Sequence, residues 1–81
     1  MEMPILTLYT RTCCPLCEQA EKIIAQLKEE MDFSYVANEI DQSDEWTEKY
    51  GLMIPVIEIN QMLVQYGQID YFTIKEALEA N

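Results

Sequence analysis

Apolar side chains fall into runs of changing period along this chain, and each change of period marks an element. Ile5 to Thr10, Ile-Leu-Thr-Leu-Tyr-Thr, predicts a short buried strand, β1. Leu16, Ala20, Ile23, Ile24, Leu27 and Met31 then recur at spacings of three and four, which is one stripe of a helix, α1. Glu18, Glu21, Lys22, Lys28 and Glu29 occupy the other face, with Glu18 and Lys22 at a favourable i,i+4 spacing. Pro15 opens this helix at the first helical position, where its missing N–H is no loss. Phe33 to Ile40 predicts β2. Asp41 or Ser43 is placed to cap a short α2 running through Trp46 and Tyr50, and Gly51 to end it. Pro55 to Ile59 predicts β3, and Asn60-Gln61 a two-residue turn into β4, Met62 to Tyr66. A last helix, α3, follows Gly67 with Ile69, Phe72, Ile74 and Leu78 as its apolar positions.

The order βαβαββα restricts the topology. The first β-α-β unit should be a right-handed crossover between parallel strands. The hairpin must then add antiparallel strands, which makes a mixed four-stranded sheet flanked by three helices, an α/β fold. No repeat, linker or low-complexity stretch divides the chain, so residues 1–81 read as a single domain. In such sheets chemistry tends to lie beyond the carboxyl end of a strand, where a loop opens a helix.

Composition narrows the partners. Fifteen Asp and Glu against five Lys and Arg give a formal net charge of −10, which repels phosphate backbones and anionic lipid. Neither a nucleic-acid nor a membrane partner is expected, and a basic protein would be steered favourably. No stretch approaches the roughly 20 apolar residues of a membrane span, and Met1 to Tyr9 carries no export signal. A cytoplasmic monomer is the expectation. The aromatics Trp46, Tyr50 and Tyr71, at helical spacings, are expected in the core, whereas Tyr66 is placed to line a groove.

Three cysteines, Cys13, Cys14 and Cys17, sit within five residues, and the chain has no histidine. Secreted disulfide scaffolds spread an even number of cysteines along the chain, and this pattern does not. A structural zinc wants four ligands, which three clustered thiols without histidine or a second C-x-x-C do not provide. Cys14-Pro15-Leu16-Cys17 instead places a C-x-x-C between a strand and a helix. The first sulfur then meets unsatisfied N–H groups and the positive end of the helix dipole, both of which favour the attacking thiolate. The second lies about one turn on, close enough to resolve a mixed disulfide. Cys14 is thus the expected nucleophile and Cys17 the resolving thiol, with Pro15 limiting the conformations between them.

Tyr9-Thr10-Arg11-Thr12-Cys13-Cys14-Pro15-Leu16-Cys17 resembles the active-site stretch of glutaredoxins, in which a Tyr-Thr strand end precedes Cys-Pro-x-Cys. Met53-Ile54-Pro55-Val56 is similar to the cis-proline loop of thioredoxin-fold proteins, and Gly67 to Asp70 falls where glutaredoxins bind glutathione. The resemblance covers nearly the whole chain and is strongest to short glutaredoxin-like redoxins. It implies a thioredoxin-like fold with strand order β2-β1-β3-β4. It also implies a cis Ile54–Pro55 bond, with the Ile54 backbone pairing to a bound thiol substrate, and Arg11 meeting a glutathione carboxylate. Gly67 and Asp70 would belong to the binding turn, Asp70 matching its acidic position loosely and serving equally as a helix cap. Tyr66 stands where glutaredoxins have the first of two glycines, so its bulk should narrow the approach of glutathione. Cys13 falls at a variable position of the motif and reads as a bystander.

These readings predict a thiol–disulfide oxidoreductase that reduces protein disulfides or glutathione mixed disulfides by a dithiol mechanism. No bound cofactor is implied; glutathione or a flavoprotein reductase would supply electrons from outside. The rival readings are an iron–sulfur carrier, with Cys14 thiolates sharing a cluster between two chains, and a thioredoxin-fold binding module without turnover.

Overall fold

The computed structural model describes residues 3–80. The elements run β1 (Ile5–Thr10), α1 (Pro15–Glu30), β2 (Ser34–Glu39), α2 (Asp44–Tyr50), β3 (Val56–Ile59), β4 (Met62–Tyr66) and α3 (Tyr71–Glu79), with a 3-10 turn at Ile40–Gln42 between β2 and α2. The sheet has the order β2-β1-β3-β4, with β1 parallel to β2 and the pairs β1–β3 and β3–β4 antiparallel. This is the mixed sheet of a thioredoxin-like fold.

Strand alternation divides the core in two. Leu6 and Leu8 of β1 pair with Ile59 and Ile57 of β3, and all four are buried on one face. Ala20, Ile24 and Leu27 of α1 and Ile74 and Leu78 of α3 join them, with Phe33, in one apolar cluster. The next pair along, Tyr9 and Val56, points to the opposite face and meets Ile40, Trp46, Tyr50, Met53 and Ile54. α2 therefore closes the second face at the end of the sheet where β1 finishes. The central strands are fixed in register by both clusters, since a one-residue slip would turn each buried set outward.

Several boundaries depart from the apolar pattern, each for a local reason. β2 is shorter than Phe33–Ile40, because Phe33 is buried ahead of the strand and Ile40 is buried in the 3-10 turn that follows. Pro55 precedes β3 instead of opening it, consistent with the ladder donor it lacks. Ser43, not Asp41, caps α2, its hydroxyl accepting the Trp46 N–H at 3.2 Å. α3 begins only at Tyr71, with Ile69 buried ahead of it. Its inward stripe is Ile74 and Leu78, so Phe72, two residues before Ile74, lies outside at 70% exposure. Leu16 matches the α1 stripe by spacing, but Cys17 takes the buried position in that first turn and Leu16 is exposed. Trp46 and Tyr71 are half-buried at the margins of the two clusters. Glu18 and Lys22 form no ion pair; among the described residues that contact occurs between Arg11 and Asp41.

The β3–β4 turn gives a stability prediction. Asn60 and Gln61 both have positive φ, 52° and 69°, as a two-residue hairpin turn requires. Asn60 also ties β1 to the turn: its Oδ1 accepts the Ile5 N–H, and its N–H donates to the Ile5 carbonyl, both at 2.9 Å. Gln61 tolerates the left-handed conformation poorly, whereas glycine adopts it without a Cβ penalty. Gln61→Gly is expected to stabilise the fold by about 0.5–1 kcal/mol, seen as a rise of a few degrees in thermal midpoint. An unchanged or lower midpoint would contradict this account of the turn.

Candidate active site

The site is built where β1 ends. Thr10 is the last strand residue, and the loop turns through Cys13, whose φ of 57° redirects the chain toward α1. Cys14 is extended (φ −120°, ψ 105°) and is the N-cap of the sixteen-residue α1. Its Sγ accepts the Cys17 N–H at 3.2 Å, taking the place that a serine or aspartate oxygen fills at most helix starts. Cys14 and Cys17 are joined in a disulfide with Cα atoms 5.1 Å apart. Cys14 is half-buried, Cys17 only 2% exposed, and Cys13 is a free thiol on the surface. One sulfur of the pair faces outward and the other is sheltered behind it.

Two further segments reach this end of the sheet. Tyr9 pairs with Val56, so the antiparallel register carries the loop after β1 alongside Ile54 and Pro55. The Ile54–Pro55 peptide bond is cis. Gly67, with φ of 76°, follows β4 and donates its N–H to the carbonyls of Pro55 at 2.8 Å and Met53 at 3.0 Å. Nothing lies within 4 Å of a Cβ built on Gly67, so glycine is required there by the backbone angle and not by crowding. Thus Arg11, Cys14, Cys17, Ile54, Pro55, Tyr66 and Gly67 share one end of the fold. Tyr66 pairs with Val56 and so shares the α2 face of the sheet; it is 54% exposed.

Two anticipated binding groups are engaged elsewhere. The Arg11 guanidinium donates from Nε and Nη2 to Asp41 Oδ1 at 3.2 and 3.1 Å, so it is not the uncompensated positive charge the sequence suggests. The Asp70 carboxylate caps α3, accepting the N–H and the hydroxyl of Thr73, each at 2.9 Å. Its own N–H donates to Gln65 Oε1 at 2.7 Å.

Behind β1, Tyr9 stacks on Tyr50 at 4.2 Å between ring centroids, and Trp46 meets Tyr9 edge-on at 5.7 Å. Tyr50 donates its hydroxyl to Glu58 Oε2 at 2.9 Å. Burial, and then the Glu58 carboxylate, raise the pKa of both tyrosines above the ordinary 10.0, keeping both hydroxyls protonated at neutral pH. This cluster anchors α2 to the strand that carries the cysteine loop.

A cleft of about 310 Å³ opens beside the disulfide. Arg11, Cys13 and Cys14 line it together with the carboxylate residues Glu18, Glu21 and Glu39. The apolar pattern assigns Glu18 and Glu21 simply to the solvent face of α1 and Glu39 to a strand. Their convergence is signalled only by spacing: Glu18 and Glu21 lie four residues beyond Cys14 and Cys17, and Glu39 pairs with Thr10. Among the described residues, no group of three or more His, Cys, Asp or Glu side chains is placed to hold a metal ion, and no helix is long and apolar enough to cross a membrane.

Comparison with known proteins agrees with this fold. A family model described as Glutaredoxin-like domain (DUF836) matches residues 5–79. The structure of protein XcR50 from X. campestris is similar, with 29% identity and a TM-score of 0.78 over 94% of this chain and 97% of that one. Protein Ne2328 from Nitrosomonas europaea superposes with a TM-score of 0.80 at 23% identity, covering 95% and 93% of the two chains. A thioredoxin variant from Halobacterium salinarum shares the fold, with a TM-score of 0.76 at 19% identity over 98% of this chain and 74% of the thioredoxin.

Proposed function

The chain belongs to the glutaredoxin-like domain family, DUF836, whose fold and paired cysteines fit a redox role, and we propose that it is a dithiol oxidoreductase reducing disulfides in polypeptides. One observation carries the reading: the Cys14 sulfur caps α1 and accepts the Cys17 N–H, while Cys17 is bonded to it from a sheltered position. A sulfur so placed is stabilised as thiolate by the amide hydrogen bond and the helix dipole, and the thiolate is the nucleophile.

The reaction balances as follows. In the reduced protein the Cys14 thiolate attacks one sulfur of a substrate disulfide; a Cys14–substrate S–S bond forms and the substrate bond breaks. The departing thiolate takes a proton from water. Cys17, deprotonated, then attacks Cys14 Sγ, forms the Cys14–Cys17 disulfide and expels the second substrate thiolate, which is also protonated. The substrate gains two electrons from the protein and two protons from solvent; the protein, its Cys14 already a thiolate, gives up to solvent only the Cys17 proton. Two glutathione thiols, or a flavoprotein reductase, would return the pair to the dithiol. The Ile54 backbone, ahead of cis Pro55, would pair with the bound substrate, and the Gly67 N–H bonds to the Met53 and Pro55 carbonyls hold that loop in place.

Alkylation of the reduced protein with limiting iodoacetamide at neutral pH tests the assignment. Mass mapping is expected to show Cys14 modified first, ahead of exposed Cys13, and Cys17 last. Preferential modification of Cys13 or Cys17, or a Cys14 that reacts no faster than an ordinary thiol, would leave a thioredoxin-fold module without turnover as the better reading.

A further inference from the structure

We infer that the cleft beside Cys14 selects disulfides flanked by cationic side chains, so that the substrate is a basic polypeptide in preference to an anionic glutathione adduct. The inference rests on the reading of Cys14 as the attacking sulfur. Its ground is the charge of the cleft wall. Glu18 and Glu21 reach it from the first two turns of α1, and Glu39 reaches it from the last residue of β2. Two separate elements thus bring three carboxylate residues around the sulfur that meets the substrate. Among the described residues no lysine or arginine lies within ion-pairing distance of any of the three.

Arg11 is the one cation on the same wall, and Asp41 neutralises it at 3.1 Å. Lys22 follows Glu21 directly in α1 and so projects to a different side of the helix from it; it lies one turn beyond Glu18 but forms no ion pair with that carboxylate. The cleft is left with uncompensated negative charge in a concavity, where field lines concentrate and oppositely charged ligands are enriched. At about 310 Å³ it is at the lower end of small-ligand sites, large enough for a charged side chain adjoining the disulfide. Around the same end Leu16, Leu52 and Tyr66 are exposed apolar side chains, a surface that fits a polypeptide. Glutathione has two carboxylates and one ammonium per molecule, a net negative charge that the cleft opposes.

The test is a single-turnover measurement with the pre-reduced full chain. Three disulfide peptides identical except for flanking Lys, Gln or Glu triplets serve as oxidants, with glutathione disulfide as a fourth. Each oxidation of the Cys14–Cys17 dithiol reduces one peptide disulfide to two thiols, and acid quench with mass spectrometry counts the conversion. At low salt the Lys peptide is expected to react about tenfold or more faster than the Glu peptide, with glutathione disulfide slower than the Gln peptide. Raising ionic strength to about 0.5 M should shrink the Lys-to-Glu ratio to about twofold, because screening shortens to a few ångströms. Glu21→Gln with Glu39→Gln should cut the low-salt ratio at least threefold. Glu76→Gln with Glu79→Gln, an equal change of net charge on α3, should leave it intact. Equal rates for the three peptides, a faster reaction with glutathione disulfide than with the Lys peptide, or equal loss of preference in both double variants would overturn the inference. Failure of every disulfide to oxidise the dithiol would instead overturn the oxidoreductase reading on which it rests.

Discussion

Cys14→Ser is expected to abolish disulfide reduction, lowering turnover by at least about 10³-fold, because a serine hydroxyl at neutral pH supplies almost none of the anionic nucleophile that a thiol does. The helix start would survive the change, since serine is itself a good cap and would accept the Cys17 N–H in place of the sulfur. Activity and folding are therefore separable in this variant. Cys17→Ser should behave differently. Attack by Cys14 still occurs, but the buried partner that breaks the mixed disulfide is gone, so the substrate remains attached to Cys14. Intact-protein mass spectrometry should show that adduct, and added glutathione thiol should release it. Cys13 is exposed and adjacent in sequence. Comparing Cys17→Ser with the Cys13→Ser, Cys17→Ser double variant determines whether Cys13 substitutes as a resolving thiol. A Cys14→Ser protein retaining more than about a tenth of the insulin-reducing activity would sink the role given to this sulfur.

The cysteine pair is legible in the sequence because its chemistry is local. A strand end, a proline at the first helical turn and two thiols one turn apart specify the exposed cap and the sheltered partner before any tertiary contact is known. That the sheet is mixed follows almost as directly, from the β-α-β unit and the hairpin, whereas its order β2-β1-β3-β4 is implied by the resemblance to glutaredoxins. What depends on side chains from distant segments is not legible in that way. Arg11 looks like an available cation until Asp41, thirty residues on, is brought to 3.1 Å by the 3-10 turn. Asp70 matches a binding turn by position, and its second expected role, capping α3 through Thr73 three residues later, is the one its hydrogen bonds show. The acidic wall of the cleft is hidden for the same reason. Glu39 reaches the cysteine loop only through the parallel pairing of β2 with β1. Apolar periodicity is equally blind to where a helix begins relative to the sheet. Leu16 fits the α1 stripe and Phe72 reads as an apolar position of α3, but both are exposed, whereas Phe33, ahead of its strand, is a buried part of the core.

Phe33→Ala should be the most destabilising single truncation in the fold, by about 3–5 kcal/mol. Phe33 is 0% exposed and heads the fully buried side chains by volume. It lies between the end of α1 and the start of β2, where Met31 leaves the helix in an extended conformation and the chain must turn back to the sheet. Its ring joins the same cluster as Leu6, Ile24, Leu27, Ile74 and Leu78, so it belongs to the core that β1, α1 and α3 build together. Removing it would leave a cavity that three elements would have to collapse into together, the circumstance in which the cost of truncation is highest. The site is also fastened by Lys28, whose ammonium donates to the Phe33 carbonyl and lies 4.9 Å from the ring centroid. A domain of this size is held by only about 4–12 kcal/mol in all, so the loss would consume about a quarter or more of its stability. Phe33→Leu keeps most of the volume and should cost about 1–1.5 kcal/mol. Urea unfolding followed by circular dichroism reads both: with a slope near 1 kcal/mol per molar, the alanine variant's midpoint should fall by about 3–5 M or the protein be unfolded without denaturant. The leucine variant should fold cooperatively with a midpoint about 1 M lower. Because Phe33 lies in the core away from the cysteine loop, the leucine variant should reduce disulfides at close to the unmodified rate. An alanine variant losing less than about 1 kcal/mol would mean that β2 can slide into the vacated space, and that the junction of α1 and β2 is not the fixed point of the fold.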